Sequence, residues 1–239
     1  MKEYSHCYFA FIDLLGFKEI VRNKSCSEIA AIFDEAKRQY TVDRRISEES
    51  KVPIIPPEDI HYYIMSDSIC IYIRDDIEFA LPILELLCMN LQVRMLCMNI
   101  PIFVRGSIAK GEIFEEQGVL FGPAFVDAYL RAEKLAHYPR IVIPPIIHEE
   151  VKNSTEKSFL DQFACFEQDG FYVTPYLNYF CHHDSTVNHR QSVKDYIKNA
   201  LSTSLDQSVR EKYLYVKTLM DYYCQQEDVT EQCAESEQF

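Results

Sequence analysis

The sequence predicts a ferredoxin-like α+β domain, an antiparallel-containing sheet with helices on one face, followed by a helical C-terminal extension. Three observations predict it. Short apolar runs of strand length alternate with longer stretches of helical periodicity. They come in the order strand, helix, hairpin, helix, strand, helix, strand, the series of a split βαβ sheet. Hydrophobic residues make up 48% of the 239-residue chain, with 15 Phe and 16 Tyr, which supports a sizeable core.

The first strand is HCYFAFIDLLGF, an apolar run that alternates poorly, as expected for a strand buried on both faces and ended by Gly16. A helix is predicted from about Ser25 to Arg38, where Ile29, Ile32, Phe33 and Ala36 fall at helical spacing; Ser25 and Ser27 are both suited to the N-cap. The charged, proline-bearing stretch TVDRRISEESKVPIIPP reads as a loop. IHYYIMSDSICIYI gives two strands joined at Ser66-Asp67-Ser68.

The Leu- and Met-rich stretch from Glu78 to Cys97 predicts a long, mostly buried helix. Pro101 opens the strand IFVRGSIAKGEIF, expected to break at Gly106 and Gly111. After a loop around Gly118, GPAFVDAYLRAEKLAHYPR predicts a helix with Pro123 in its first turn. Arg140 to Ile143 is a strand ended by Pro144-Pro145. FACFEQDGFYVTPYLNYF predicts a hairpin turning at Asp169-Gly170, and helices follow over about 187–201 and 208–223. The acidic end is expected to fray. The expected organisation is a core over 1–150, a hairpin and helical extension over 151–225 and a disordered acidic tail over 226–239.

A net charge of −13 disfavours duplex nucleic acid as a partner. It does not exclude a nucleotide, whose phosphates bound metal ions neutralise locally. The nine cysteines are scattered without CxxC pairs, and several sit among apolar neighbours, as Cys70 and Cys88 do. They read as small core residues in a reducing compartment. Glu3 and the lack of a cleavage-type end argue against a secretory signal. No apolar run approaches the ~20 residues of a membrane span, and a cytoplasmic location is expected.

Asp13 interrupts an apolar strand just before the turn at Leu15-Gly16, and Asp67 sits at a hairpin tip between apolar strands. Carboxylates at such positions need partners. Each alone could cap a turn. Together, on neighbouring strands, they make a two-carboxylate set of the kind that holds Mg²⁺ or Mn²⁺ with substrate phosphates. Arg105, in an apolar strand, needs an anion, either a triphosphate or a structural carboxylate. Arg140 is similar, and Lys110 is expected to be solvated. Cys181-His182-His183-Asp184 lacks the separated pairs of a zinc site and reads as a loop. Lys37-Arg38 and Arg44-Arg45 read as a solvated basic patch. No GxxxxGK[ST] run is present.

Taken in order, FIDLLGF, SDS, RGSIAKGE, GPAFVDAY and YPRIVI resemble the class III nucleotidyl cyclases. The likeness runs over roughly the first 145 residues, and DGFYVTPYL extends it toward the pyrimidine cyclases of bacterial Pycsar anti-phage defence. The resemblance implies a homodimer with composite sites. Asp13, Asp67 and the Leu14 carbonyl would hold two divalent ions, Mn²⁺ or Mg²⁺, and the turn Leu15-Gly16-Phe17 would offer amides to the triphosphate. The product would be cyclic UMP or cyclic CMP, a second messenger for a separate effector protein.

Against that family pattern, Tyr63 stands where adenylyl cyclases carry a base-reading lysine, and Val119 where they carry an aspartate. Tyr63 would therefore meet a smaller base, or is simply a strand tyrosine. The family's helical Asn/Arg pair aligns strictly with Val126 and Leu130; one register shift gives Asp127 and Arg131, which otherwise form a surface ion pair. Glu133 lies nearby. Two rivals follow from these departures: a cyclase of other base specificity, and a catalytically silent nucleotide sensor.

Overall fold

The computed structural model describes residues 2–37, 55–150, 164–174, 187–203 and 205–236. Its strands are β1 (Ser5–Leu14), β2 (His61–Met65), β3 (Ser68–Arg74), β4 (Val104–Glu116), β5 (Val119–Phe121), β6 (Ile141–Ile143), β7 (Cys165–Phe166) and β8 (Tyr172–Val173). The helices are α1 (Phe17–Asn23), α2 (Cys26–Lys37), α3 (Ala80–Leu96), α4 (Pro123–Leu135), α5 (Pro145–Glu150), α6 (Val187–Leu201) and α7 (Gln207–Ser236). Among the described residues they form one eight-stranded sheet ordered β2-β3-β1-β4-β6-β8-β7, with β5 paired to β4. The β4–β6 pair is parallel and the others are antiparallel. The expected α+β sheet with a C-terminal helical extension is present.

The helices are divided between the two faces of the sheet, where the sequence predicted one. Alternation along β1 explains the division. Tyr8, Ala10, Ile12 and Leu14 join Ile69, Ile71 and Ile73 beneath α2 and α3. Cys7, Phe9 and Phe11 face the other way, with Cys70, Tyr72, Ala109 and Ile113, against Ala124, Ala128 and Ala132 of α4. The three alanines recur every four residues, so α4 presents a flat seam that lies close to the strands. Each fully buried Ile or Leu contributes on the order of 1.5–3 kcal/mol, so the two faces together hold the sheet.

α3 is apolar almost all round because it is a middle layer. One side packs on the sheet through Leu81, Leu84 and Leu91. The other carries Leu86, Met89 and Val93 against Val193 and Ile197 of α6 and Val216 and Met220 of α7. No described helix is long and apolar enough to cross a membrane. Cys7 and Cys70 are fully buried and free, and burial pushes both thiols up to about 12. They are inert core residues, as their neighbours predicted.

Several elements differ from expectation. α1 was not predicted; its seven residues are too few to show a periodicity. α2 begins as expected beside Ser25, which forms a reciprocal cap with Glu28: the Ser25 amide donates to the Glu28 carboxylate at 2.9 Å and the Glu28 amide to Ser25 Oγ at 3.3 Å. β4 runs unbroken through Gly106 and Gly111. A Cβ on Gly106 would stand 2.3 Å from the Phe11 carbonyl oxygen, so this glycine permits close β1–β4 approach instead of ending the strand. Gln117 and Gly118 both take positive φ (51° and 83°) and close a β4–β5 hairpin where a loop was expected. α5 was also unforeseen. α7 continues to Ser236, past the predicted end near residue 223, through a stretch with no Pro or Gly to stop it.

The Asp169-Gly170 hairpin forms, with Gly170 at φ 87°. Arg140 is buried and pins that turn through Asp169, while also donating to the Leu135 carbonyl. Lys110, expected to be solvated, instead donates to Glu150 at 2.7 Å and lies 3.6 Å from Asp75. The Cys181–Asp184 run, Arg38 and the Arg44-Arg45 pair lie outside the described residues, as does most of the 41–57 loop.

Candidate functional site

β1 is the strand that assembles the site, because it has neighbours on both sides. Asp13 stands opposite Ser68 of β3 and opposite Arg105 of β4. One step on, the Leu14 amide donates to the Asp67 carbonyl at 2.9 Å. Asp13 and Asp67 are thus neighbours across the β1–β3 pair. The chain then turns. The Leu15 amide donates to the Phe103 carbonyl at 2.9 Å, Gly16 takes φ 79°, and α1 starts at Phe17. The Phe17 ring is buried, edge-on to Phe33 at 5.6 Å, and this anchors the turn. Of the three turn amides predicted to face a triphosphate, Leu15's is engaged within the fold; Gly16 and Phe17 remain as candidate donors.

Directly opposed residues of an antiparallel pair share a face. Asp13 therefore lies on the α4 side of the sheet with Arg105. Arg105 Nε donates to Asp13 Oδ2 at 2.9 Å, and Arg105 Nη2 donates to Glu133 Oε1, near the end of α4, at 2.7 Å. Arg105 and Asp13 are about four-fifths buried, whereas Glu133 is half exposed. The anion that Arg105 requires is met by two carboxylates. In the sequence Glu133 stood only near the place of a family glutamate from whose pattern this helix departs; the need of an apolar-strand arginine for a carboxylate was the signal that could have singled it out.

Tyr63 falls on the same face. It pairs with Cys70, which pairs with Phe11, two residues before Asp13. Its ring lies nearly parallel to Tyr72, with centroids 6.4 Å apart, and Tyr72 in turn stacks on His61 at 4.4 Å. Burial first, then the hydrogen bond to and charge of Glu115, push the Tyr63 hydroxyl up to about 12. Glu115 was not foreseen. The only sequence signal was that it keeps the parity of Ala109 and Ile113, which face α4.

α4 carries the remaining candidates. Asp127 and Arg131 approach each other at 3.8 Å on its exposed side, the geometry of a surface ion pair. Val126, Tyr129 and Leu130 are also exposed on this helix, as are Val119 and Phe121 on β5. The contact that ties α4 to Asp13 is Glu133 through Arg105.

Among the described residues, no three His, Cys, Asp or Glu side chains gather as a metal cluster. Two carboxylates and a backbone carbonyl are instead a set of hard oxygen donors. That chemistry suits Mg²⁺ or Mn²⁺ completed by substrate phosphates and water.

No protein-family profile matches the chain, and no curated protein matches it. Solved structures do. The catalytic core of a rhodopsin-guanylyl cyclase with converted specificity, in complex with ATPαS, is 14% identical with a TM-score of 0.48. The match covers 72% of this chain and 97% of that one. The monomeric guanylyl cyclase domain of the RhoGC fusion protein from the aquatic fungus Blastocladiella emersonii is 15% identical at a TM-score of 0.44, over 72% and 96% of the two chains. An adenylate/guanylate cyclase/hydrolase from Silicibacter pomeroyi is 15% identical at 0.43, over 73% and 96%.

Proposed function

We propose that this chain is a cytoplasmic nucleotide cyclase that converts a pyrimidine nucleoside triphosphate, UTP or CTP, to its 3′,5′-cyclic monophosphate and pyrophosphate. The observation that carries the reading is the cross-strand adjacency of Asp13 and Asp67 beside the Leu15-Gly16-Phe17 turn. A single carboxylate could cap a turn. Two side by side, one near the end of β1 and one in the turn before β3, next to a glycine turn favour a metal–phosphate role, and the order of the five sequence motifs points the same way.

Asp13, Asp67 and the Leu14 carbonyl would hold Mn²⁺ or Mg²⁺, which when bound activates the ribose 3′-hydroxyl and neutralises the triphosphate. The 3′ oxygen forms its bond to the α-phosphorus as the bond to pyrophosphate breaks, and the hydroxyl proton passes to solvent. Gly16 and Phe17 would orient the triphosphate through backbone N–H groups. Arg105, paired with Asp13 and Glu133 in the fold, would lie on the same face as the triphosphate and help to offset the charge that builds there. Tyr63, whose single O–H already donates to Glu115, would offer its ring as a stacking surface, and the pair would offer acceptor oxygens to the edge of a small base. Arg131, with Asp127, would stabilise the transition state from α4.

A homodimer follows from the same reading. The exposed apolar residues Val126, Tyr129 and Leu130 share α4 with the Asp127/Arg131 pair, and a second copy would cover them. The role as a second-messenger source for a separate antiviral effector rests on the motif resemblance.

The test is to incubate the purified chain with Mn²⁺ and each common ribonucleoside triphosphate separately and to identify products by mass spectrometry. A cyclic monophosphate from UTP or CTP alone is expected. A cyclic product from a purine would overturn the base assignment. No cyclic product from a folded preparation would overturn the enzyme reading in favour of a nucleotide sensor.

A further inference from the structure

Arg105 is held at two edges by two carboxylates that differ in kind. Asp13 sits opposite it near the end of β1, the strand between β3 and β4, 2.9 Å from Nε; Glu133 projects from α4 and meets Nη2 at 2.7 Å. A guanidinium stays charged at any working pH and needs a carboxylate when it is this deeply buried. Arg105 occupies Oδ2 of Asp13, so a divalent cation on the same carboxylate would bring a second positive charge against it in a poorly solvated place and weaken the hold of Asp13 on Arg105. Glu133 is the other carboxylate that Arg105 meets among the described residues. It is also the more exposed of the two, so its carboxylate has room to follow the guanidinium.

We propose that Glu133 is a positioning residue that receives Arg105 when a divalent cation takes Asp13. The inference rests on the reading of Asp13 and Asp67 as metal ligands. Before metal arrives, Arg105 is the resident counter-cation that keeps Asp13 from being a bare buried charge. As metal binds, the guanidinium shifts its weight from Asp13 to Glu133 without leaving the site. Metal loading is thereby coupled to α4, the helix that carries Asp127 and Arg131. No covalent bond changes and no proton moves.

The experiment is Mn²⁺ affinity, read from the free-ion electron paramagnetic resonance signal, for the full chain as wild type, Glu133→Gln, Arg105→Gln and the double variant. Glu133→Gln should weaken Mn²⁺ binding about tenfold, in the range found when residues supporting metal ligands are removed. In the Arg105→Gln background the same change should have little effect, because there is no cation left to receive. An equal loss in both backgrounds would overturn the proposal and make Glu133 a simple through-space charge. No loss in either would overturn it also. If Arg105→Gln does not fold, Arg105→Lys takes its place; its single ammonium lacks the two-edged fork, and the Glu133 effect should again shrink.

Asp67→Ala separates the two levels of the reading. A wild type that binds no Mn²⁺, or an Asp67→Ala variant that binds it unchanged, overturns the metal assignment and this proposal with it. Binding that needs Asp67 but ignores Glu133 overturns the proposal alone.

Discussion

Leu14 donates its amide to the carbonyl of Asp67 at 2.9 Å, one residue beyond the point where Asp13 stands opposite Ser68. This bond extends the β1–β3 ladder into the hairpin turn and fixes the register of the two aspartates. A slip of one residue would turn Asp13 to the other face of the sheet. The apolar residues alternating on both sides of β1 prevent that slip, so packing of the core and placement of the site are one requirement.

Asp67→Ala should abolish nucleotide turnover while leaving the fold intact. Asp67 lies in a two-residue turn and its bond to Leu14 uses the backbone, which alanine retains. Mass spectrometry of the products and the melting temperature, measured on one preparation, check it. Turnover near the wild-type level would remove Asp67 from the metal site.

Tyr63→Phe deletes one hydroxyl and keeps the ring that stacks on Tyr72. The expected outcome is a changed ratio of kcat/KM between UTP and the other nucleotides, with little change in melting temperature. Losing one hydrogen bond at a reading site shifts discrimination by on the order of 1–3 kcal/mol when the partner stays buried. Uniform loss for every nucleotide would return Tyr63 to the role of a strand tyrosine.

Gly106→Ala should destabilise the chain severely. The new Cβ would meet the Phe11 carbonyl oxygen at 2.3 Å and the Ile12 Cα at 3.2 Å, both parts of the central strand. Backbone atoms in a paired strand cannot yield as a side-chain tip can, so a loss of roughly 2 kcal/mol or more is expected by denaturant titration. Arg105 is the adjacent residue, so a variant that still folds should also show altered Mn²⁺ binding.

Glu85 is fully buried in α3, and among the described residues neither carboxylate oxygen has a hydrogen-bond partner. Desolvation raises its carboxyl well above the ordinary 4.5. The folded state then holds a proton that the unfolded chain releases, so the contribution of Glu85 to stability is most favourable below about 4.5 and falls as pH rises through the interval above it. Glu85→Leu should raise the melting temperature at neutral pH, with the gain shrinking toward pH 4.5. A gain independent of pH between 4 and 8, measured calorimetrically, would contradict the assigned protonation.

Local signals were enough for much of the fold. Apolar runs located β1, β3 and the α3 helix, Pro123 marked the start of α4, and Val187–Leu201 was legible from its own pattern. Glycine was less readable. Gly106 looked like a strand break because composition records flexibility; contact with Phe11 shows that the missing Cβ is what matters. Short α1 and α5 left no periodic trace.

By itself the sequence determined which residues carry charge in apolar surroundings: Asp13, Asp67, Arg105 and Arg140. Such groups need partners wherever they lie, and that requirement is local. Which partner each receives was decided only in three dimensions. Arg140 went to Asp169, while Arg105 went to Asp13 and Glu133, which stand 92 and 28 residues from it along the chain. The distribution of helices over both faces was decided in the same way, because it depends on how β1 divides its side chains between two layers. Hydrophobic period and chemical type are written along the chain; proximity across strands arises only when the sheet closes and burial selects one register.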